Sequence, residues 1–304
     1  MPLIYRMTCA KKRGAAQPPM RQEEVKNDME NIMYYNGKYL DVQKAAISPF
    51  DLGLLRGYGV FDVMRTQNGR PLSISEHWKR FRSSAQYLKL KVPLSLAVYS
   101  GVVEKLLRIN GFQESIIRTV LTAGPSPDGY SPAGKETFFI LIQTFIPLPR
   151  NVYLRGATVM TLEYRRECPE AKVTNYVAAI QHYLERTRRH AIEILYIHEK
   201  RVLEASASNF FMVQGDKLVT PKEGILRGIT RNCVIKLARK GGFEVNERAI
   251  ALEEALDADE AFITSTNKDI VPIVMIDKNK IGKGTVGSIT SAVMDVFNKW
   301  LTTR

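Results

Sequence analysis

The sequence predicts an α+β protein of two domains with a cleft between them. Strand-like and helix-like patterns alternate through both halves of the chain, and the proline-containing segment 147–151 separates the halves as a linker would. At 304 residues and 45% hydrophobic content, the chain is long enough to bury a substantial core. We therefore predict a basic, disordered extension over residues 1–30, a smaller domain over 31–146 and a larger domain over 152–304.

The first half begins with a hairpin, because Asn36-Gly37 stands between two apolar pairs. Alternation over Val60–Thr66 predicts a strand that turns at Asn68-Gly69. The patterns that follow predict two helices and two further strands: Glu76 to about Leu90, Ser95 to Ile109, Ser115–Thr122 and Thr137–Phe145. The loop between the last two strands, residues 123–132, contains three prolines.

The second half is also mixed. We expect a strand starting near Val152, and the remaining patterns predict a helix over Asn175 to about Arg189, strands over Ile192–Tyr196 and Asn209–Val213, a helix over Thr230–Lys240, a strand over Glu260–Thr264 and a final helix after Ser288.

Composition limits the function classes. The net charge of +13 favours anionic partners, but the basic runs contain no interleaved aromatic residues, so a basic nucleic-acid-binding protein is the weaker hypothesis. No apolar run approaches the roughly 20 residues that span a membrane. The three scattered cysteines indicate neither disulfides nor zinc, which fits a reducing, cytoplasmic setting. The four histidines form no metal-ligand pattern either.

Two segments suggest chemistry. Lys172-Val-Thr-Asn-Tyr176 and the later Glu204-Ala-Ser-Ala-Ser-Asn209 supply an amine, a phenol and a carboxylate. A lysine amine can condense with an aldehyde and can then carry a proton to or from a substrate carbon. This combination suggests pyridoxal phosphate as the cofactor.

A phosphate site has a separate physical argument. Gly228-Ile229-Thr230 comes directly before a helical run, so the first turn offers unpaired amides and the positive end of the helix dipole to an anion. Thr230 could instead be only a helix N-cap.

Several motifs occur together in a fixed order: Leu55–Asp62, His77-Trp-Lys-Arg80-Phe, Lys172–Tyr176, Glu204–Phe210, Gly228–Arg231 and Thr264–Thr266. In these motifs, residues 34–301 resemble the class IV aminotransferases of pyridoxal phosphate fold type IV. That family includes branched-chain aminotransferase, D-amino acid aminotransferase and aminodeoxychorismate lyase. The resemblance implies a two-domain enzyme with pyridoxal phosphate in the interdomain cleft, and a homodimer.

The resemblance also implies roles for individual residues. Lys172 corresponds to the lysine that forms the Schiff base, Glu204 to the acid facing the pyridine nitrogen, and Tyr176 to a phenol near the ring oxygen. The expected phosphate cup is formed by Arg80, Ile229, Thr230 and Thr266.

The substrate is harder to predict. An α-carboxylate calls for an arginine, and the candidates are Arg56, Arg65 and Arg118. Arg65 agrees with branched-chain enzymes, whereas Val63 agrees with D-amino acid enzymes, and the strand after Ile117 is compatible with aminodeoxychorismate lyases. The whole combination looks closest to atypical D-amino acid aminotransferases, so we expect a ping-pong transaminase with D-amino acid donors. An L-branched-chain enzyme and a lyase remain alternatives.

Overall fold

A computed structural model describes residues 31–304, and the predicted extension over residues 1–30 lies outside them. The first half forms a six-stranded sheet in the order β2-β1-β6-β5-β3-β4. Its strands are β1 Ile32–Tyr35, β2 Lys38–Asp41, β3 Gly59–Gln67, β4 Arg70–Pro71, β5 Ser115–Thr122 and β6 Thr137–Thr144. The hairpin at Asn36-Gly37 is confirmed, and both residues have the positive φ that a tight two-residue turn needs.

Helices complete the first half. They are α1 Leu52–Arg56, α2 Ile74–Tyr87 and α3 Leu96–Asn110, with a short 3-10 helix at Val42–Lys44. The buried faces of α2 and α3 pack with the sheet into one core, in which Trp78 stacks with both Phe81 and Tyr99. This core fixes α2, which carries Arg80 near its middle.

The second half forms a larger mixed sheet. Its main path runs β12-β11-β10-β14-β15-β7-β8-β9-β13, and β16 pairs with β15. The strands are β7 Ala157–Glu163, β8 Ala191–His198, β9 Arg201–Ala205, β10 Asn209–Gln214, β11 Lys217–Thr220, β12 Val245–Glu247, β13 Ile250–Ala251, β14 Glu260–Ser265, β15 Asp269–Ile276 and β16 Asn279–Lys280. The helices are α4 Arg150–Arg155, α5 Val177–Gln181, α6 Tyr183–Arg188, α7 Ile229–Lys240, α8 Leu252–Leu256 and α9 Ser288–Thr302.

Two local predictions differ from the structure. The strand expected near Val152 is wrong, because Arg150–Arg155 is a helix and the strand starts only at Ala157. Pro149 precedes this helix and Gly156 ends it at a φ of 74°, which are the positions that suit these two residue types. The single helix expected over 175–189 is divided into α5 and α6 at His182.

The α+β class is confirmed, and the last strand of the first sheet ends at Thr144 while the second sheet begins at Ala157. The domain division at 147–151 stays a prediction. Within residues 31–304, none of the helices has the length and apolar character needed to cross a membrane.

The segment around Lys172 joins the two sheets. Its backbone carbonyl accepts a hydrogen bond from Phe61 N of β3 at 2.9 Å, and its own N donates to Ser84 Oγ of α2 at 3.0 Å. Thr174 N donates to Gly59 O at 3.0 Å. The lysine therefore belongs by sequence to the second half but is held against the first.

A buried ion pair forms a second junction. Arg65 of β3 binds Asp269 of β15 through both carboxylate oxygens at 2.9 and 3.1 Å, and its Nε donates to Thr266 O at 3.1 Å. The Arg65 side chain is 5% exposed and that of Asp269 25%. The pair therefore links the two sheets in a mostly dry environment.

We predict that Arg65→Met lowers the free energy of unfolding by about 3 kcal/mol, because it leaves the buried Asp269 carboxylate without its cation. Urea denaturation measures the change. Arg189→Met is the matched control: Arg189 pairs with Glu185 and Asp277 at a 49% exposed surface position, so its loss should cost below about 0.5 kcal/mol. Equal effects of the two substitutions would contradict a linking role for Arg65.

Candidate active site

A cavity of about 500 Å³ opens between the two sheets. This volume lies in the range of small-molecule sites. Eight of the ten predicted site residues line it: Arg80, Arg118, Lys172, Tyr176, Glu204, Ile229, Thr230 and Thr266. Arg56 and Arg65 are not among the lining residues.

Lys172 lies in the loop between β7 and α5, with Nζ 4.6 Å from the centre of the Phe61 ring. Protein atoms surround the Lys172 amine, although part of the lysine side chain faces the cavity. Burial, followed by the nearby Arg80 guanidinium, lowers the pKa of Lys172 to about 7. A large fraction of this amine is therefore the neutral, nucleophilic form near neutral pH.

Arg80 is held in place by a buried carboxylate. Its Nε and Nη2 donate to the two oxygens of Asp62 at 2.8 Å each, and His77 Nδ1 lies 2.6 Å from the same carboxylate. Burial alone would raise the pKa of Asp62, but Arg80 and His77 outweigh it and hold that pKa well below its usual range. The sequence motifs contained Asp62 and His77, yet nothing in them showed that the two residues orient Arg80.

The expected phosphate cup lies at the N-terminus of α7. Gly228 is the N-cap residue and has no side chain to bond the first-turn amides, so Ile229 and Thr230 are free to present theirs to an anion. The alternative that Thr230 is the N-cap is wrong. A Cβ atom at Gly228 would lie 2.0 Å from Asn209 Oδ1, so a larger residue at this position would have to displace the Asn209 side chain.

Glu204 lines the same cavity. Its Oε1 accepts from Arg166 Nε at 2.8 Å, and its Oε2 accepts from Leu226 N at 3.0 Å. Burial raises the pKa of Glu204, while Arg166 and the Leu226 amide oppose this effect. Sequence reasoning missed Arg166, which stands six residues before Lys172 in a double-arginine pair.

Arg166 also shapes the loop that carries Lys172. Its guanidinium donates to the carbonyl oxygens of Cys168, Pro169 and Ala171 at 3.2, 2.5 and 3.0 Å. One side chain therefore joins the acid at Glu204 to the turn directly before the lysine.

Register explains which arginine faces the cavity. Val63 of β3 pairs directly with Arg118 of β5, and Phe61 pairs with Val120. All four residues line the cavity, because positions two apart on a strand share a face. Arg65 lies on the same face, but its guanidinium is bound to Asp269.

Tyr176 packs edge-on against Phe61 with ring centres 5.6 Å apart. Burial is the main cause that raises the pKa of its phenol to about 12, so the hydroxyl keeps its proton. Arg56 lies exposed at the end of α1, and its Nη1 donates to the carbonyl of Leu55 at 2.9 Å. Among residues 31–304, no group of three or more His, Cys, Asp or Glu side chains could hold a metal ion.

Residues 59–276 match the sequence model of a family described as amino-transferase class IV. A relative from Methanocaldococcus jannaschii, provisionally named a branched-chain-amino-acid aminotransferase, is 35% identical over 88% of this chain and 97% of its own. A D-alanine aminotransferase from Staphylococcus haemolyticus is 26% identical over 90% of this chain and 98% of its own. An aminodeoxychorismate lyase from Bacillus subtilis strain 168 is 29% identical over 88% and 94%.

Solved structures agree with these relatives. A branched-chain amino acid aminotransferase from T.th., solved with pyridoxamine 5'-phosphate, superposes with a TM-score of 0.85 at 27% identity, covering 90% of this chain and 95% of that one. The predicted fold type and cofactor are thereby confirmed.

The cavity fits pyridoxal phosphate on its own geometry. It offers a fixed guanidinium and helix amides for a phosphate, a carboxylate at Glu204 for a ring nitrogen, and a depressed-pKa amine for an aldehyde. In addition, Thr264 Oγ1 is buried in the cavity wall without a hydrogen-bond partner in the described part of the chain. A buried hydroxyl in that state favours a polar ligand beside it.

We predict that cofactor-free protein captures pyridoxal phosphate with a rate that rises about tenfold per pH unit below pH 7 and levels off above it. The reason is that only neutral Lys172 reacts, and its pKa is about 7. Stopped-flow absorbance of the visible cofactor band measures the rate. Lys172→Ala is the control, which should give no such band. A rate that still rises between pH 8 and 9, as for an ordinary lysine of pKa about 10.4, would contradict the prediction.

Proposed function

The chain belongs to the class IV aminotransferases and is a pyridoxal phosphate-dependent transaminase, and we propose that it transfers the amino group of D-amino acids to 2-oxoacids. In this proposal, Arg118 binds the α-carboxylate of the substrate. The observation that carries it is that Arg118 faces the cavity without a carboxylate partner among the described residues.

The charge of Arg118 is available to a substrate. Arg80 and Arg166 also line the cavity, but each is ion-paired, with Asp62 and Glu204 respectively. Burial lowers the pKa of Arg118 somewhat, with Tyr176 opposing this effect, yet a guanidinium stays charged. A partly desolvated cation of this kind binds a carboxylate strongly and in a defined orientation.

The preference for D-donors is supported by two neighbouring positions of β3. Val63, which agrees with D-amino acid enzymes, lines the cavity opposite Arg118. Arg65, which agrees with branched-chain enzymes, is bound to Asp269 and does not line the cavity. Of these two positions, only residue 63 lines the cavity in which the substrate would bind, and its valine agrees with D-amino acid enzymes.

We assign the chemistry to a few side chains. The bound cofactor supplies an electrophilic carbon and a ring that takes up electrons from the substrate α-carbon. With the cofactor bound, Lys172 Nζ would take the substrate α-proton and deliver it to the cofactor carbon that carries the transferred amine, which its low pKa permits. Glu204, held by Arg166, would keep the ring nitrogen protonated, and Arg80 with the α7 amides would hold the phosphate.

An L-branched-chain enzyme is the second candidate. The M. jannaschii relative carries that name, and apolar side chains that include Phe61, Val63, Val120 and Ile180 line the cavity. Such a wall suits an aliphatic side chain. A lyase that eliminates pyruvate from aminodeoxychorismate is a third candidate, which the same experiment tests.

A half-reaction scan decides among these candidates. Single-turnover loss of the visible cofactor band is followed with D-alanine, D-glutamate, L-leucine, L-glutamate and aminodeoxychorismate. We expect D-glutamate to react at least about tenfold faster than L-glutamate, a ratio that corresponds to about 1.4 kcal/mol of transition-state discrimination. Rapid reaction with L-leucine and none with D-donors would overturn the proposal, and pyruvate release without an oxoacid would identify the lyase.

We predict that Arg118→Met raises KM for both the amino donor and the oxoacid acceptor by about 100-fold. A charge-assisted pair to a carboxylate is worth roughly 2–3 kcal/mol, and both substrates carry the same carboxylate. Steady-state kinetics measures the change, with Arg189→Met as the distant control. The cofactor band should be unchanged; unaltered KM for both substrates would remove Arg118 from the proposal.

We further propose a homodimer in which a second copy covers two exposed apolar surfaces. Phe50, Leu54 and Tyr130 are 62, 68 and 79% exposed on the first half, and Ile180 and Leu184 are 72 and 64% exposed on the second. Because Ile180 also lines the cavity, a partner there would close its mouth and could bring an arginine such as Arg56 to it. Sedimentation velocity tests the proposal, and a monomer at micromolar concentration would contradict it.

We place the enzyme in the cytoplasm, since its three cysteines show no disulfide spacing. Its excess positive charge is dispersed along the sequence, and we assign it no nucleic-acid partner.

A further inference from the structure

We propose that the buried pair Glu193–Lys268 is a positioning bridge that fixes two cavity-lining turns relative to each other. The serine turn comprises residues 206–208, and the threonine turn comprises residues 265–268. Ser206, Ala207, Thr266 and Asn267 from these turns line the cavity. What the turns bind rests on the proposed function, whereas the bridge itself does not.

Glu193 collects donors from both turns. It lies on β8 and is 3% exposed. Its Oε2 accepts from Ala207 N at 2.7 Å and from Ser206 Oγ at 3.3 Å. Its Oε1 accepts from Ser208 Oγ and from Lys268 Nζ, the latter at 2.9 Å. A carboxylate offers about four acceptor positions, so these four bonds use its full capacity.

The threonine turn is held at the other end of the bridge. Lys268 is 7% exposed, and its carbonyl accepts from Tyr153 Oη at 3.2 Å. Thr266 O accepts from Arg65 Nε, and Lys268 N donates to Ser265 O at 3.4 Å. The turn therefore has anchors in β3, in α4 and, through Glu193, in β8.

The bridge requires both charges. Burial alone would raise the pKa of Glu193, but Lys268 and the bonds from the serine turn outweigh it and hold that pKa below its usual value. Glu193 is thus ionised when the turns are assembled. A buried ion pair seldom adds net stability over apolar residues of similar size, so its place between two cavity-lining turns points to a geometric task.

Two variants separate positioning from stability. Glu193→Gln leaves Lys268 buried without a counter-charge, which should lower the thermal midpoint by about 5–10 °C. The double variant Glu193→Gln/Lys268→Met removes both charges, so it should regain most of that midpoint. It cannot restore the bridge, because the methionine at position 268 has no hydrogen-bond donor for the side chain at position 193.

We therefore expect the double variant to be folded but loosened at the two turns. Amide hydrogen exchange at residues 207 and 268, whose N–H groups donate to Glu193 Oε2 and Ser265 O in the parent, should be at least roughly tenfold faster than in the parent, with exchange in β10 and β14 unchanged. KM for the amino donor should rise roughly tenfold, because loosened turns hold the substrate less well in the geometry that the active site needs. We expect kcat and the visible cofactor band to stay close to those of the parent.

Glu244→Gln is the matched control, because Glu244 pairs with Lys217 at a surface position where both side chains are at least half exposed. It should change none of these quantities. Parent-like exchange and KM in the double variant would overturn the bridge. If no donor is turned over by the parent, the proposed function fails, but faster exchange at the two turns would still support the bridge.

Discussion

Removal of the Lys172 amine from water is the constraint on which the rest of the site depends. The amine belongs to the second half of the chain, but hydrogen bonds from Phe61 and to Ser84 hold its backbone against the first half. Only the docking of the two halves produces the burial that, together with Arg80, lowers its pKa to about 7. A substitution that loosens the junction between the two halves would therefore raise the pKa of Lys172 toward that of an ordinary lysine, even if it removed no catalytic group.

A consequence is that the charges around the cavity are arranged in pairs. Asp62 is paired with Arg80, Glu204 with Arg166 and Glu193 with Lys268, all at buried or half-buried positions. Each pair limits the cost of burying its members and also holds a different part of the wall: the phosphate cup, the loop before Lys172, and the two turns. Within residues 31–304, the two cavity-lining basic side chains without an ion pair are Lys172 and Arg118, and these are the ones available for reaction and binding.

Much of the fold followed from local pattern. The hairpin at Asn36-Gly37, the strand Ser115–Thr122 and the helices near Arg80 and Thr230 were predicted within a few residues, because turn chemistry and apolar periodicity are local properties. The helix Arg150–Arg155 was not, since a six-residue helix between a proline and a glycine has too little periodicity to distinguish from a strand. Short strands such as Lys217–Thr220 also went unrecognised, because four residues are too few for an alternating pattern to stand out.

The sequence by itself determined the family, the cofactor and seven of the residues that line the cavity, because motifs such as Lys172–Tyr176 and Gly228–Arg231 preserve local order and spacing. It left three arginines as equal candidates for the carboxylate. Only the tertiary structure separated them, since whether a guanidinium is free depends on the acid that meets it across the fold: Asp269 takes up Arg65, 204 residues away, whereas no carboxylate of the described chain reaches Arg118. Partners such as Arg166 for Glu204 and Lys268 for Glu193 were invisible for the same reason, because burial and pairing arise between segments that sequence spacing does not relate.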